Sequence, residues 1–203
     1  DCSLIFEDKG RILACLPANV DRERRRIVSH GGLTYGGVLM SEKITMMQVL
    51  EIFRLSADYF KKEYGAERWL YKPIPYIYSS YPAQEDLYAL FRMGAVLESR
   101  GVSSAIQLQG RLQMSTGRLQ CVKKAQKEGL VMRESSDVLP FWNLLNNVLV
   151  SNHGVSPVHT KEELDLLISR FPERIRLFVV NNELGETVAG SLVFDMGKTV
   201  HTQ

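Results

Sequence analysis

Ser29-His30-Gly31-Gly32-Leu33-Thr34-Tyr35-Gly36-Gly37 stands between a short apolar strand and a long amphipathic stretch, with four glycines and three hydrogen-bonding side chains in its last eight residues. Glycine gives the backbone access to positive φ and lets a ligand approach main-chain N–H groups that a Cβ would shield. A turn of this kind that leads into a helix offers those N–H groups, and the positive end of the helix dipole, to an anion. The spacing is neither the dinucleotide fingerprint nor a P-loop, because no Lys-Ser/Thr follows the glycines. Two readings stand at this point, a tight structural turn and a ligand-facing loop.

Outward from this stretch, the pattern alternates strands and helices. Residues 3–7 and 11–18 are β-prone runs joined by Glu7-Asp8-Lys9-Gly10, a hairpin signal, and a third strand is expected over 26–29. Residues 43–64 predict a helix with Met46, Val49, Leu50, Phe53, Ala57 and Phe60 on one face, a wet stripe of Glu51, Arg54, Asp58 and Lys61, and Gly65 as its stop. Arg68–Tyr78 begins as a strand, and Pro73 and Pro75 turn it into an edge or extended loop. Pro82 opens a short helix carrying Leu87, Leu90 and Phe91, ending at Gly94, and two further strands are expected on either side of Gly101. Helices follow over 116–128 and 137–150 with a strand at 130–134 between them, then a capping box at Thr160-Lys161-Glu162-Glu163. The strands 175–180 and 186–194 are joined by Asn181-Asn182-Glu183-Leu184-Gly185, and a last strand starts near Lys198.

This last hairpin repeats the first at an offset of about 175 residues, with Val28-Ser29-His30 matched by Val200-His201. The expected class is α/β with mixed sheets, in two parts, 1–112 and 113–203. At 203 residues and 45% hydrophobic content the chain can bury a substantial core. A net charge of +2 gives no bulk argument for nucleic acid or an anionic membrane. Three scattered cysteines without ligand spacing read as reduced thiols in a cytoplasmic protein, with neither a disulfide framework nor a metal site expected. No apolar run approaches the length of a membrane span. The ends, which open and close inside strand-like segments, suggest a piece of a longer protein.

The order of elements resembles the latter part of one GNAT-type acyltransferase domain followed by the first part of a second, each incomplete. Ser29–Gly37, Tyr71-Lys72-Pro73-Ile74-Pro75 and His153-Gly154-Val155-Ser156-Pro157-Val158-His159 resemble segments of FemAB-like and BioF2-like bacterial acyltransferases. The resemblance implies an N-acyltransferase that moves an acyl or aminoacyl group from acyl-CoA (acetyl-CoA among them) or aminoacyl-tRNA to an amine. It further implies an acceptor, a small molecule or a peptidoglycan-precursor-like amine, held between the two halves. The Gly31–Gly37 loop departs from the Gln/Arg-x-x-Gly-x-Gly/Ala signature of coenzyme A binding in such domains. In the second half the equivalent loop is expected after Gln203.

On this reading His30 and Tyr35 are the catalytic candidates, the imidazole because its ordinary pKa suits proton transfer. Gly31, Gly32, Gly36, Gly37, Tyr71, Lys72, Tyr76, His159 and His201 are candidate substrate contacts, with Lys72 suited to an anionic substrate. The bland alternatives are a backbone-satisfied histidine, tyrosines in cross-strand packing, and a capping or surface role for His159. Lys123, Lys124 and Lys127, and Arg22 to Arg26, read as solvated faces. A different class of function is also carried, a catalytically silent GNAT-like module binding a peptide, a sugar nucleotide or a protein partner.

Overall fold

The computed structural model describes residues 1–202 and has a mixed α/β architecture divided into two compact units, Asp1–Arg100 and Gly101–Gln203. In the first unit, β1 (Leu4–Asp8) and β2 (Arg11–Leu16) form the expected antiparallel hairpin, and β5 (Leu39–Met40) adds to the free side of β2. A second sheet has the order β3 (Asn19–Asp21), β4 (Arg26–Val28), β6 (Arg68–Leu70). Its β3–β4 pair is antiparallel, and β4 and β6 are parallel, connected through the long helix α1 (Met46–Tyr64).

Cross-strand register divides this second sheet into two faces. Val20, Ile27 and Trp69 lie abreast on one face, and Asn19, Val28 and Leu70 on the other, flanked by the row Asp21, Arg26, Arg68. Helix α1 covers the first face: Phe53 lies 5.4 Å from the rings of both Trp69 and Tyr71, and Phe60 lies 5.4 Å from Trp69. Val49, Ile52, Phe53, Ser56 and Phe60 are the buried residues of α1, while Arg54 bridges Glu51 and Asp58 on the expected wet stripe. The helix starts three residues later than its periodicity predicts, because Thr45 caps it. The Thr45 side chain accepts from Gln48 N–H, and Gln48 Oε1 accepts from Thr45 N–H, a reciprocal box. Gly65 ends it in the left-handed conformation, as read from the sequence.

Helix α2 (Glu85–Arg92) keeps Leu90 of its predicted face against the core and corrects the rest. Asp86 and Ala89 point inward, whereas Leu87 and Phe91 are exposed, Phe91 at 75%. It begins at Glu85 rather than at Pro82, with Gln84 at the cap. The strands expected around Gly101 do not form: residues 93–115 contain neither helix nor strand, and Val102 is 99% exposed. Alternation alone makes no strand without a neighbouring edge to complete the ladder.

The second unit contains α3 (Thr116–Lys127), which buries none of its residues, then one antiparallel sheet in the order β10 (Val200–Thr202), β9 (Thr187–Asp195), β8 (Ile175–Asn181), β7 (Val131–Ser135). Helices α4 (Leu139–His153) and α5 (Lys161–Arg170) lie between β7 and β8 in the chain, and α5 carries the expected Thr160/Glu163 box. Ile175, Leu177 and Val179 alternate inward from β8 onto Val138, Phe141 and Leu164. The two hairpins thus pair alike, but their third strands differ. Strand β10 joins β9 directly, whereas β4 joins β3, the continuation of β2 beyond Pro17, and so enters a separate sheet.

Helix α4 sits close on β9 at Gly190, where a Cβ would fall 2.6 Å from Phe141 Cδ2 and 3.1 Å from Phe178 O. Gly190→Ala is expected to cost about 1–3 kcal/mol in urea unfolding through overpacking. Gly101→Ala, with nothing within 4 Å of its Cβ, leaves the midpoint unchanged.

Candidate functional site

The parallel ladder between β4 and β6 ends in an unusual way. Ser29 N–H donates to Leu70 O at 2.9 Å, so a regular parallel register would next send Lys72 N–H to the Ser29 carbonyl. It goes instead to Ser29 Oγ at 2.7 Å, and Ser29 is wholly buried. The strands part here, and the glycine loop returns into the gap: Gly36 N–H donates to Lys72 O at 3.1 Å. A Cβ on Gly36 would lie 1.7 Å from Ser29 O, and one on Gly37 would lie 2.9 Å from Tyr71 Oη. Gly36 and Gly37 are therefore required by the protein's own close packing.

This corrects the expected use of the loop in two respects. Gly31, Gly36 and Gly37 do not adopt positive φ. The loop also does not open a helix, since β5 and the capped Thr45 intervene before α1. Besides Gly36, three of its amides are taken: Gly31 N–H bonds Asn19 Oδ1, Gly32 N–H bonds His30 Nδ1 at 3.3 Å, and Leu33 N–H bonds His30 O at 3.2 Å. Because Nδ1 of the half-buried His30 accepts, the neutral imidazole carries its proton on Nε2 and offers a donor there.

Strand alternation sends Tyr71 and Lys72 to opposite faces of the sheet. Tyr71 enters the core against Phe53 and Trp69, its hydroxyl accepting from Val38 N–H at 2.8 Å and donating to Asp86 Oδ2 at 2.8 Å. Burial, and then the Asp86 carboxylate, push the Tyr71 phenol well above its ordinary range. Burial also raises the Asp86 carboxyl, opposed by the bonds it accepts from Tyr71 and from Leu87 N–H. Lys72 emerges on the other face, its Nζ on the Leu33 carbonyl, with partial burial lowering its pKa.

That second face forms an open depression of about 670 Å³, floored by Val28 and Leu70 and bounded by Asn19, Gly31 and Lys72 at one end. At the other end is the β3–β4 turn, where Arg26 holds Asp21 at 2.9 Å and keeps its carboxyl below the usual range. Tyr35 packs its half-buried ring 5.6 Å from that of Tyr78, whose phenol burial and then Tyr35 raise; Tyr76 is exposed. In the second unit, His159 precedes α5 with Nδ1 3.5 Å from Glu163 Oε2 and its carbonyl bonded by Trp142 Nε1–H, while His201 sits on β10 with its ring 6.3 Å from that of Phe194. The structure thus gathers His30, Gly31 and Lys72 around the parted strands, and sets His159 and His201 at separate places in the other unit. Sequence reasoning missed Ser29, Asn19 and Asp86, of which only Ser29 carried a local signal, a hydroxyl directly after an apolar strand.

Among the described residues no group of three His, Cys, Asp or Glu side chains could hold a metal ion, and no helix is long and apolar enough to cross a membrane. No protein-family model matches the chain, and no curated protein matches it.

Tyr71→Phe would strip Val38 N–H and Asp86 of their shared partner and is expected to cost about 1–3 kcal/mol. Since Asp86 is raised in the folded state, the native protein holds its proton to higher pH than the unfolded chain does. Stability from this group is therefore greatest below its ordinary value of 3.8 and is lost as pH rises through the raised value. Asp86→Asn should remove that component, seen as a urea midpoint that falls less as pH rises above 3.8.

Proposed function

We propose that the chain is part of an N-acyltransferase with two GNAT-like units, transferring an acyl or aminoacyl group to an amine. The observation that carries this reading is the parallel β4–β6 pair bridged by α1, whose ladder parts at Ser29 and Lys72. It is supported in the second unit by an antiparallel β7–β8–β9–β10 order with two helices inserted after its first strand. Acyl transfer requires an amine held against an activated carbonyl and a donor for the oxygen that becomes an oxyanion. His30 Nε2–H is suited to that donor role, and Lys72 to holding an acceptor on the outer face.

A second reading is favoured by one specific observation. The donors of Gly31, Gly32, Leu33 and Gly36 are spent within the protein, and the N-terminus of α1 is closed by its own capping box. The first unit then supplies no backbone phosphate seat for coenzyme A, as in a catalytically silent module that binds a peptide, a sugar nucleotide or a protein partner.

Thermal shift of the chain against acetyl-CoA and longer acyl thioesters, with a mobility-shift assay against aminoacyl-tRNA, separates the two. Stabilisation or retention by one donor class, with amine-dependent release of thiol or tRNA reduced at least tenfold in His30→Ala, is expected for the enzyme. No response to either class contradicts the acyltransferase reading and supports the binding module.

A further inference from the structure

The outer face of the β3–β4–β6 sheet is electrically asymmetric along its strands. Its carboxylates, Asp21 and Glu23, both stand at the β3–β4 turn, together with Arg22 and with Arg26, which is paired to Asp21. Neighbouring cations are likewise committed: Arg25 to Glu67 at 2.7 Å and Arg68 to Glu98 at 2.9 Å. The other end of the depression holds Lys72, and no carboxylate among the described residues lies within 4.0 Å of its ammonium. A primary ammonium has three N–H donors. The Leu33 carbonyl takes one, leaving two for a ligand.

The backbone fixes where the Lys72 side chain leaves the sheet. Lys72 N–H is tied to buried Ser29, Lys72 O to Gly36, and the preceding side chain is clamped between Val38 and Asp86. The side chain thus starts from a segment held on three sides and rests its ammonium on Leu33 O, beside the apolar floor of Val28 and Leu70. A volume of about 670 Å³ falls within the range of small-molecule sites. Partial burial of Lys72 weakens its hydration, which lowers the cost of exchanging water for a fixed anion.

We propose that this face binds a small organic anion, with a phosphate or carboxylate head at Lys72 Nζ and an apolar stem across Val28 and Leu70. This deepens the acyl-transfer reading by naming the acceptor's chemistry, and rests on that reading only for calling the ligand an acceptor.

The test is a ¹H–¹⁵N NMR titration of the chain with inorganic phosphate and with n-butyl phosphate. Saturable shifts should gather at the amides of Gly31, Leu70 and Lys72, and butyl phosphate should bind at least about threefold tighter, since its stem covers the apolar floor. Lys72→Gln should weaken both ligands roughly tenfold through loss of a charge-assisted hydrogen bond, and Lys72→Arg should largely restore them. Shifts that are linear or scattered over the surface, equal affinity for the two probes, or unchanged binding in Lys72→Gln would each overturn the proposal. Because no thioester enters this titration, a failure of acyl transfer leaves its result standing, and its failure leaves donor binding untouched.

Discussion

A buried serine hydroxyl holds together the outer face of the first unit's β3–β4–β6 sheet. Ser29 Oγ takes the amide proton of Lys72 at the point where its own carbonyl would do so in a continuous ladder. That substitution lets β4 and β6 separate without leaving the Lys72 amide unpaired, which in a buried setting would cost about as much as a lost hydrogen bond. The returning loop closes the same opening from the other side through Gly36. The absence of a side chain at Gly36 is what permits the approach to Ser29 O. Lys72 takes its place on the outer face from this junction.

The junction also decides which residues face outward. Tyr71 and Lys72 are neighbours in sequence with opposite fates. One is drawn into the α1 packing and locked by Val38 and Asp86, and the other is turned out beside an apolar floor. The glycine loop, for which the sequence left a ligand-facing reading open, spends four of its amides on the protein itself. The positive end of α1 is likewise closed by Thr45 and Gln48. An anion in this unit is therefore better served by the Lys72 ammonium than by backbone amides, which separates this site from a phosphate loop in physical terms.

Local signals were legible and long-range ones were not. The end of α1 at Gly65, the charged stripe around Arg54 and the Thr160/Glu163 box each depend on residues within a few positions of one another. The Thr45-Met46-Met47-Gln48 box was equally local and went unread, which displaced the predicted start of α1. Asp86 stands in the first turn of α2, where an acid is ordinary. Its inward direction follows only from Tyr71, fifteen residues away, needing an acceptor. The segments on either side of Gly101 were expected as strands, and neither enters a ladder. The two hairpins were recognisable as a pair, but their third strands diverge because Pro17 interrupts the second strand in one unit and nothing comparable does so in the other.

Native-state hydrogen exchange of the Lys72 amide tests the serine junction most directly. Protection approaching that of the α1 core amides, lost selectively in Ser29→Ala while α1 stays protected, is the predicted result. Exchange of Lys72 at the rate of an open loop in the unaltered protein, or protection untouched by Ser29→Ala, would contradict the account.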